Sequence, residues 1–127
     1  QSFGSPVAAK GLAWFVNRSG VVYCLDAETG QEKYAKRTAG SIWATPIVIG
    51  ENVYLFGKNG GTTVLKVGAE FEVVAENELW ESAPAADGRP SFGGPVLYAA
   101  VAADSVLILR RGDRLFAVHQ HREADDD

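Results

Sequence analysis

Short apolar runs separated by polar turns recur along the whole chain. The runs are rich in β-branched and aromatic residues, while glycine, asparagine and aspartate fill the breaks, which predicts an all-β protein. A helix over Val73–Glu81 fits the local pattern, but the repeat described below favours a strand there. The predicted strands lie near residues 5–9, 12–17, 21–26, 31–36, 46–49, 52–57, 62–67, 71–80, 95–101, 105–110 and 114–119.

An aromatic residue, two small residues, a proline and a β-branched residue occur together three times. The copies are Phe3–Val7, Trp43–Ile47 and Phe92–Val96. Four short antiparallel strands in ~40–45 residues is the period of a propeller blade. The pattern therefore predicts an all-β fold: a β-propeller fragment of about three four-stranded antiparallel blades, the last of them incomplete.

The repeat also sets the expected domain organisation. Residues 1–120 are assigned to propeller repeats, with blades at about 3–38, 43–81 and 92–120, and residues 121–127 to a disordered acidic tail. Propellers usually have ~4–8 blades, so three units do not close a ring. We expect the remaining blades of a longer chain, or a symmetry mate, to supply the missing strand and cover the end blades.

Composition narrows the classes of partner. The net charge is −4, and the tail from Arg122 to Asp127 carries −3 of it, so the rest of the chain is nearly neutral, which argues against nucleic-acid binding. No apolar run approaches the ~20 residues of a membrane helix. The single cysteine, Cys24, excludes an internal disulfide framework.

The stretch VVYCLDAETGQEKY, residues 21–34, carries the clearest motif. Its aspartate can accept backbone N–H groups in the turn, its glycine can adopt positive φ, and its final aromatic can pack onto an adjoining blade. The pattern resembles the tryptophan-docking turn of the pyrroloquinoline-quinone (PQQ)-like β-propeller repeats, with tyrosine in place of the usual tryptophan. The resemblance implies a structural docking-turn motif made of Cys24, Asp26, Thr29, Gly30 and Tyr34.

Two functions follow from this resemblance. The first is a non-catalytic propeller that binds a protein or small-molecule ligand, as in secreted, periplasmic or cell-envelope proteins with such repeats. The second is the C-terminal part of a quinoprotein that oxidises alcohols or sugars with PQQ and calcium. The resemblance implies that such enzymes use a catalytic aspartate, calcium ligands and, in some members, a vicinal cysteine pair. None of these can be matched here, so the first function is favoured and no cofactor is evident in this chain.

Other candidate sites have simpler explanations. Cys24 is expected to be a buried packing thiol, and the Arg111-Gly112-Asp113 tripeptide falls where a hairpin turn is required. Turns also explain the glycosylation sequon Asn17-Arg18-Ser19 and the glycine-rich run Gly57–Gly61. His119 and His121 could form a metal-binding pair, but no third ligand is in view. No catalytic or metal site is therefore predicted.

Overall fold

The computed structural model describes residues 4–38, 40–80, 96–104 and 106–119. These residues form eleven β-strands and no helix, so no helix among them could cross a membrane. The strands are β1 (Val7–Ala9), β2 (Leu12–Val16), β3 (Val21–Asp26), β4 (Glu32–Arg37), β5 (Ile47–Ile49), β6 (Asn52–Phe56), β7 (Gly61–Lys66), β8 (Val73–Glu78), β9 (Leu97–Ala103), β10 (Val106–Arg111) and β11 (Arg114–His119).

Strands that follow one another in the chain pair antiparallel and form three separate sheets. Their orders are β1-β2-β3-β4, β5-β6-β7-β8 and β9-β10-β11, and we call these sheets blades 1, 2 and 3. Strand β5 contacts both β1 and β9, so the first strands of the three blades converge. This is the arrangement of a partial β-propeller, and it confirms the predicted fold class.

Each strand alternates its side chains between two neighbouring blades. Trp14 and Val22 of blade 1 are buried against Leu55 and Leu65 of blade 2. The next residues along the same strands point to the opposite faces, so Phe56 of blade 2 packs with Leu109 of blade 3. The sheets are therefore held together by two apolar cores, one in each gap between blades.

The outer strands are less buried than the inner ones. Every residue of β8 is exposed, as expected for an acidic outer strand. Blade 3 also exposes apolar side chains, with Leu115 73% and Val101 55% accessible. The proposed acidic tail, residues 121–127, and most of the third Pro-containing signature lie outside the described residues, so the predicted domain boundaries stay predictions.

The meander places two kinds of loop at opposite ends of the blades. One end carries the β2–β3, β6–β7 and β10–β11 turns together with the connectors between blades, and we call it the connector end. The other carries the β1–β2 and β3–β4 turns and the segment between β7 and β8, and we call it the hairpin end. The docking-turn motif and the best candidate for binding lie at these two different ends.

Candidate functional site

The turn of the docking motif lies at the hairpin end, between β3 and β4. Asp26 Oδ1 accepts hydrogen bonds from the backbone N–H groups of Glu28 and Thr29, both at 2.9 Å. These bonds stabilise the carboxylate and hold the pKa of Asp26 below its ordinary value. Gly30 has φ of +78° and donates its N–H to the Asp26 carbonyl at 2.8 Å. Sequence and geometry therefore agree on a tight, self-bonded turn.

The aromatic end of the motif lies in the core between blades 1 and 2. Tyr34 is 7% exposed and its hydroxyl accepts a hydrogen bond from Trp14 Nε1 at 2.8 Å. Burial raises the pKa of Tyr34 to about 12. Its ring meets Phe71 of blade 2 edge-on, with a centroid distance of 5.5 Å. Tyr34 thus contacts both blades, although its role as a docking residue stays a prediction.

Cys24 lies opposite Tyr34 in the β3–β4 pairing. Its side chain is fully buried, and this burial raises the pKa of the thiol. A raised pKa disfavours the thiolate, which is the nucleophilic form. The arrangement supports packing and not nucleophilic chemistry.

The other motifs singled out in the sequence are engaged in turns. Asn17 Oδ1 accepts hydrogen bonds from Ser19 Oγ at 2.8 Å and from the N–H of Val21 at 2.9 Å. The Arg111 side chain is 11% exposed and binds both carboxylate oxygens of Asp113, at 2.5 and 2.9 Å. This ion pair lowers the pKa of Asp113. The tripeptide at residues 111–113 is therefore a turn whose arginine is turned inward.

The candidate metal ligands lie only partly in the part of the chain that the structure describes. No group of three or more histidine, cysteine, aspartate or glutamate side chains there could hold a metal ion. His119 is the last residue of β11, and its predicted companion, His121, lies outside the described residues. The described residues thus supply no carboxylate cluster of the kind that calcium sites use, and we derive no step through PQQ or calcium.

A surface at the connector end joins blades 2 and 3 through neighbouring aromatic and cationic side chains. Lys58 Nζ lies 4.9 Å from the ring centroid of Trp43, which lies 5.9 Å from that of Tyr98. The Arg110 guanidinium lies 5.8 Å from the Tyr98 ring. Contacts within about 6 Å of a ring centre are those of cation–π pairs. We call Lys58, Trp43, Tyr98 and Arg110 the aromatic ladder.

Backbone hydrogen bonds fix the position of this ladder. The N–H of Lys58 donates to the carbonyl of Ser41 at 2.8 Å, and the carbonyl of Lys58 accepts from the N–H of Leu97 at 2.9 Å. One turn residue thus binds the connector that leads to Trp43 and the strand that begins just before Tyr98. The rings are brought together by the backbone, so the surface is largely preorganised.

Sequence reasoning missed the ladder. Trp43 stands out in the sequence only as the aromatic of a repeated signature, Lys58 only as part of a glycine-rich turn, and Tyr98 only as a strand residue. Their separation along the chain hides their proximity, which depends on how blades 2 and 3 pack. The one available signal was that connectors and β6–β7-type turns meet at the same end of a propeller.

A cleft of about 380 Å³ also lies at the connector end, between the segment that follows β4 and the β6, β7 and β8 strands of blade 2. Its floor contains Ile42 and Leu55, and its rim carries Glu76, Asn77 and Glu78 of β8. No aromatic ring lines it, and its two glutamates belong to an exposed outer strand. The cleft therefore carries less specific chemistry than the ladder.

Comparison with known proteins supports the fold. No family model and no curated protein matches the sequence. The chain is similar in structure to BamB from Moraxella catarrhalis, with a TM-score of 0.71 and 12% identity over 95% of this chain and 32% of that one. It is also similar to a quinohemoprotein alcohol dehydrogenase from Comamonas testosteroni, with a TM-score of 0.67 and 15% identity over 88% of this chain and 17% of that one.

A designed protein shares the same architecture. The computationally designed Ika8 protein matches with a TM-score of 0.62 and 14% identity, over 91% of this chain and 32% of that one. This chain spans about a third or less of each of these three structures. At such low identity, the likeness establishes the propeller fold and leaves activity to be argued from this chain's own residues.

Proposed function

We propose that this chain is part of a non-catalytic β-propeller, which binds a protein or small-molecule partner at its connector end. The observation that carries the proposal is the aromatic ladder, in which residues from two blades form one surface with fixed backbone positions. Tyr98 is 43% exposed and Arg110 is exposed, so the ladder presents both a ring and a cation to a partner. Exposed aromatic and arginine side chains are the residues that most often carry binding energy.

The proposal includes the rest of the ring and a location. The similar solved structures are several times longer, which supports further blades beside blades 1 and 3. The resemblance of the β3–β4 turn to the PQQ-like repeats supports a place in the periplasm, the cell envelope or the secreted fraction. The five docking-motif residues would then clamp blade 1 to blade 2.

A second candidate is the C-terminal part of a PQQ-dependent alcohol or sugar dehydrogenase. The structural similarity to the quinohemoprotein alcohol dehydrogenase favours it. In that case PQQ and calcium would be held by other parts of the protein, and this chain would supply structural blades. The candidate ranks second because the aromatic ladder, which is the feature argued from this chain's own residues, is a binding surface.

One experiment on the native polypeptide that contains this sequence separates the two functions. Dye-linked oxidation of alcohols and sugars is measured after addition of PQQ and calcium. In parallel, a photo-cross-linking amino acid replaces Tyr98, or Val74 of β8 as an exposed control. We expect no PQQ-dependent dye reduction, and cross-links to a defined partner from position 98 only. PQQ-dependent turnover would overturn the proposal.

A further inference from the structure

The ladder is a basic patch on an acidic chain. The sequence carries 16 acidic and 12 basic residues, yet the four ladder residues contribute two cations and no carboxylate. Lys58 and Arg110 have ring faces as their neighbours, and the ion pairs found among the described residues are Lys10–Glu51 and Arg111–Asp113. A ring face attracts a cation without neutralising it, so both charges remain able to bind an anion.

The order of the ladder determines what it could recognise. A cation stands at each end, Lys58 beside Trp43 and Arg110 beside Tyr98, with the two rings between them. A complementary ligand has a carboxylate at each end and a flat or apolar group between them. A short peptide in which acidic residues flank an aromatic side chain has this arrangement.

We propose that the aromatic ladder binds an acidic, aromatic-containing peptide segment of a protein partner. The inference rests on the proposed binding function and names the class of partner. The carboxylates pair with Lys58 and Arg110, and the aromatic side chain lies against the exposed ring of Tyr98. Because the Lys58 backbone is held by Ser41 and Leu97, little ordering of the surface is needed on binding.

Single-stranded nucleic acid is the other polyanion that aromatic and basic side chains recognise. It is the weaker match, because a nucleic-acid site follows the phosphate backbone with an extended positive groove. The ladder is short, and the chain as a whole has a net charge of −4. A peptide that places its charges at two points fits this surface better than a uniformly charged strand.

Fluorescence anisotropy with the native polypeptide that contains this sequence tests the inference. The probe is fluorescein-labelled Gly-Asp-Glu-Trp-Glu-Asp-Gly, and the comparison probes are Gly-Lys-Lys-Trp-Lys-Lys-Gly and octauridylate with the same label. We expect the acidic peptide to bind with the highest affinity, and its binding to weaken as NaCl rises from about 50 to 300 mM. Tighter binding of octauridylate or of the basic peptide would overturn the inference.

Charge-reversal variants locate the binding site. Lys58→Glu and Arg110→Glu should each weaken peptide binding about tenfold or more, since each removes one charged contact and adds a repulsive one. Lys33→Glu is the matched control, because it makes the same charge change on exposed β4 of blade 1 and should leave affinity within about twofold. Equal effects of all three variants would show general electrostatic attraction and overturn the inference.

Two further measurements test the aromatic contact and whether the bound carboxylates belong to a peptide or to a small molecule. Tyr98→Ala should weaken binding about tenfold with an unchanged far-ultraviolet circular dichroism spectrum, and Tyr98→Phe should restore it. Displacement of the peptide by an equimolar amount of free glutarate would show a small-molecule site and overturn the peptide proposal. Failure of the peptide to bind overturns this inference alone, whereas PQQ-dependent turnover overturns the proposed function.

Discussion

At the scale of single residues, the β3–β4 turn shows how chemistry selects residue type. The Asp26 carboxylate accepts two backbone hydrogen bonds that close the turn. Gly30 adopts a left-handed backbone conformation that other residues reach only with strain. Nothing lies within 4 Å of the position that a Gly30 side chain would take. The requirement for glycine there is therefore conformational and not steric.

This distinction can be measured with a matched pair of glycines. Gly68 also has open space around its Cβ position, but its φ lies outside the left-handed range. Gly30→Ala should lower the free energy of unfolding by about 1 kcal/mol or more, and Gly68→Ala by much less. Urea denaturation followed by tryptophan fluorescence gives both values. Equal costs would contradict the conformational explanation.

The charge of Asp26 makes a pH-dependent contribution to stability. Its pKa is lowered from 3.8 in the folded chain, because the carboxylate accepts the N–H groups of Thr29 and Glu28. A lowered pKa means that the contribution is present above pH 3.8 and is lost as the pH falls through the folded value. Asp26→Asn keeps an acceptor oxygen but does not titrate in this range.

Thermal unfolding of wild type and Asp26→Asn between about pH 6 and pH 2 tests this contribution. The wild-type protein should have the higher melting temperature at the upper end, and the gap should close as the pH falls. A gap that stays constant across the range would show that the charge of Asp26 has no part in holding the turn.

At the scale of elements, blades are joined by buried and half-buried aromatic residues at specific points. Trp14 and Tyr34, both of blade 1, form a hydrogen-bonded pair in the core that faces blade 2. Between blades 2 and 3, Trp80 stacks on Phe116 at 5.9 Å and packs over Gly60. The second unit lacks the docking-turn motif, and Trp80 makes a different aromatic contact with the following blade.

The Trp14–Tyr34 hydrogen bond gives the third prediction. Tyr34→Phe keeps the ring but leaves the buried Trp14 Nε1–H without its acceptor, which should cost about 1–3 kcal/mol in unfolding free energy. Tyr23→Phe is the control, since Tyr23 stacks on Phe15 at 4.8 Å on the other face of blade 1. Chemical denaturation should show a small change for the control. A neutral Tyr34→Phe would contradict a stabilising role for the bond.

Strand positions were the feature best predicted from sequence. The predicted strand at 21–26 matches β3, and most others agree within a few residues, because hydrophobic alternation directly reports the buried face of a strand. The strand predicted at 71–80 is shorter in the structure, at Val73–Glu78, and Phe71 lies before it with its ring against Tyr34. The ladder could not be predicted, because it depends on packing between blades and not on local pattern.

At the scale of the whole molecule, blade 3 has an outward face that no other described blade covers. Blade 3 has three strands among the described residues, and the outward face of its sheet exposes Val101 and Leu115. The corresponding faces inside the molecule are buried by the next blade: Tyr54 of β6 packs in the core between blades 2 and 3. An exposed strand edge beside an apolar face favours association with another chain or with further blades.

The last prediction follows from this exposed face. The 127-residue chain by itself should associate in a concentration-dependent manner, as measured by sedimentation velocity. Leu115→Glu should reduce the association, because Leu115 is 73% exposed on the outward face of β11. Val74→Glu is the matched control, since Val74 is 48% exposed on β8, which is already the outer strand of a complete four-stranded blade. If both variants associate as the wild type does, the face of blade 3 is not a site at which further blades pack. If Leu115→Glu alone is monomeric, the outward face of blade 3 is the surface at which the ring continues.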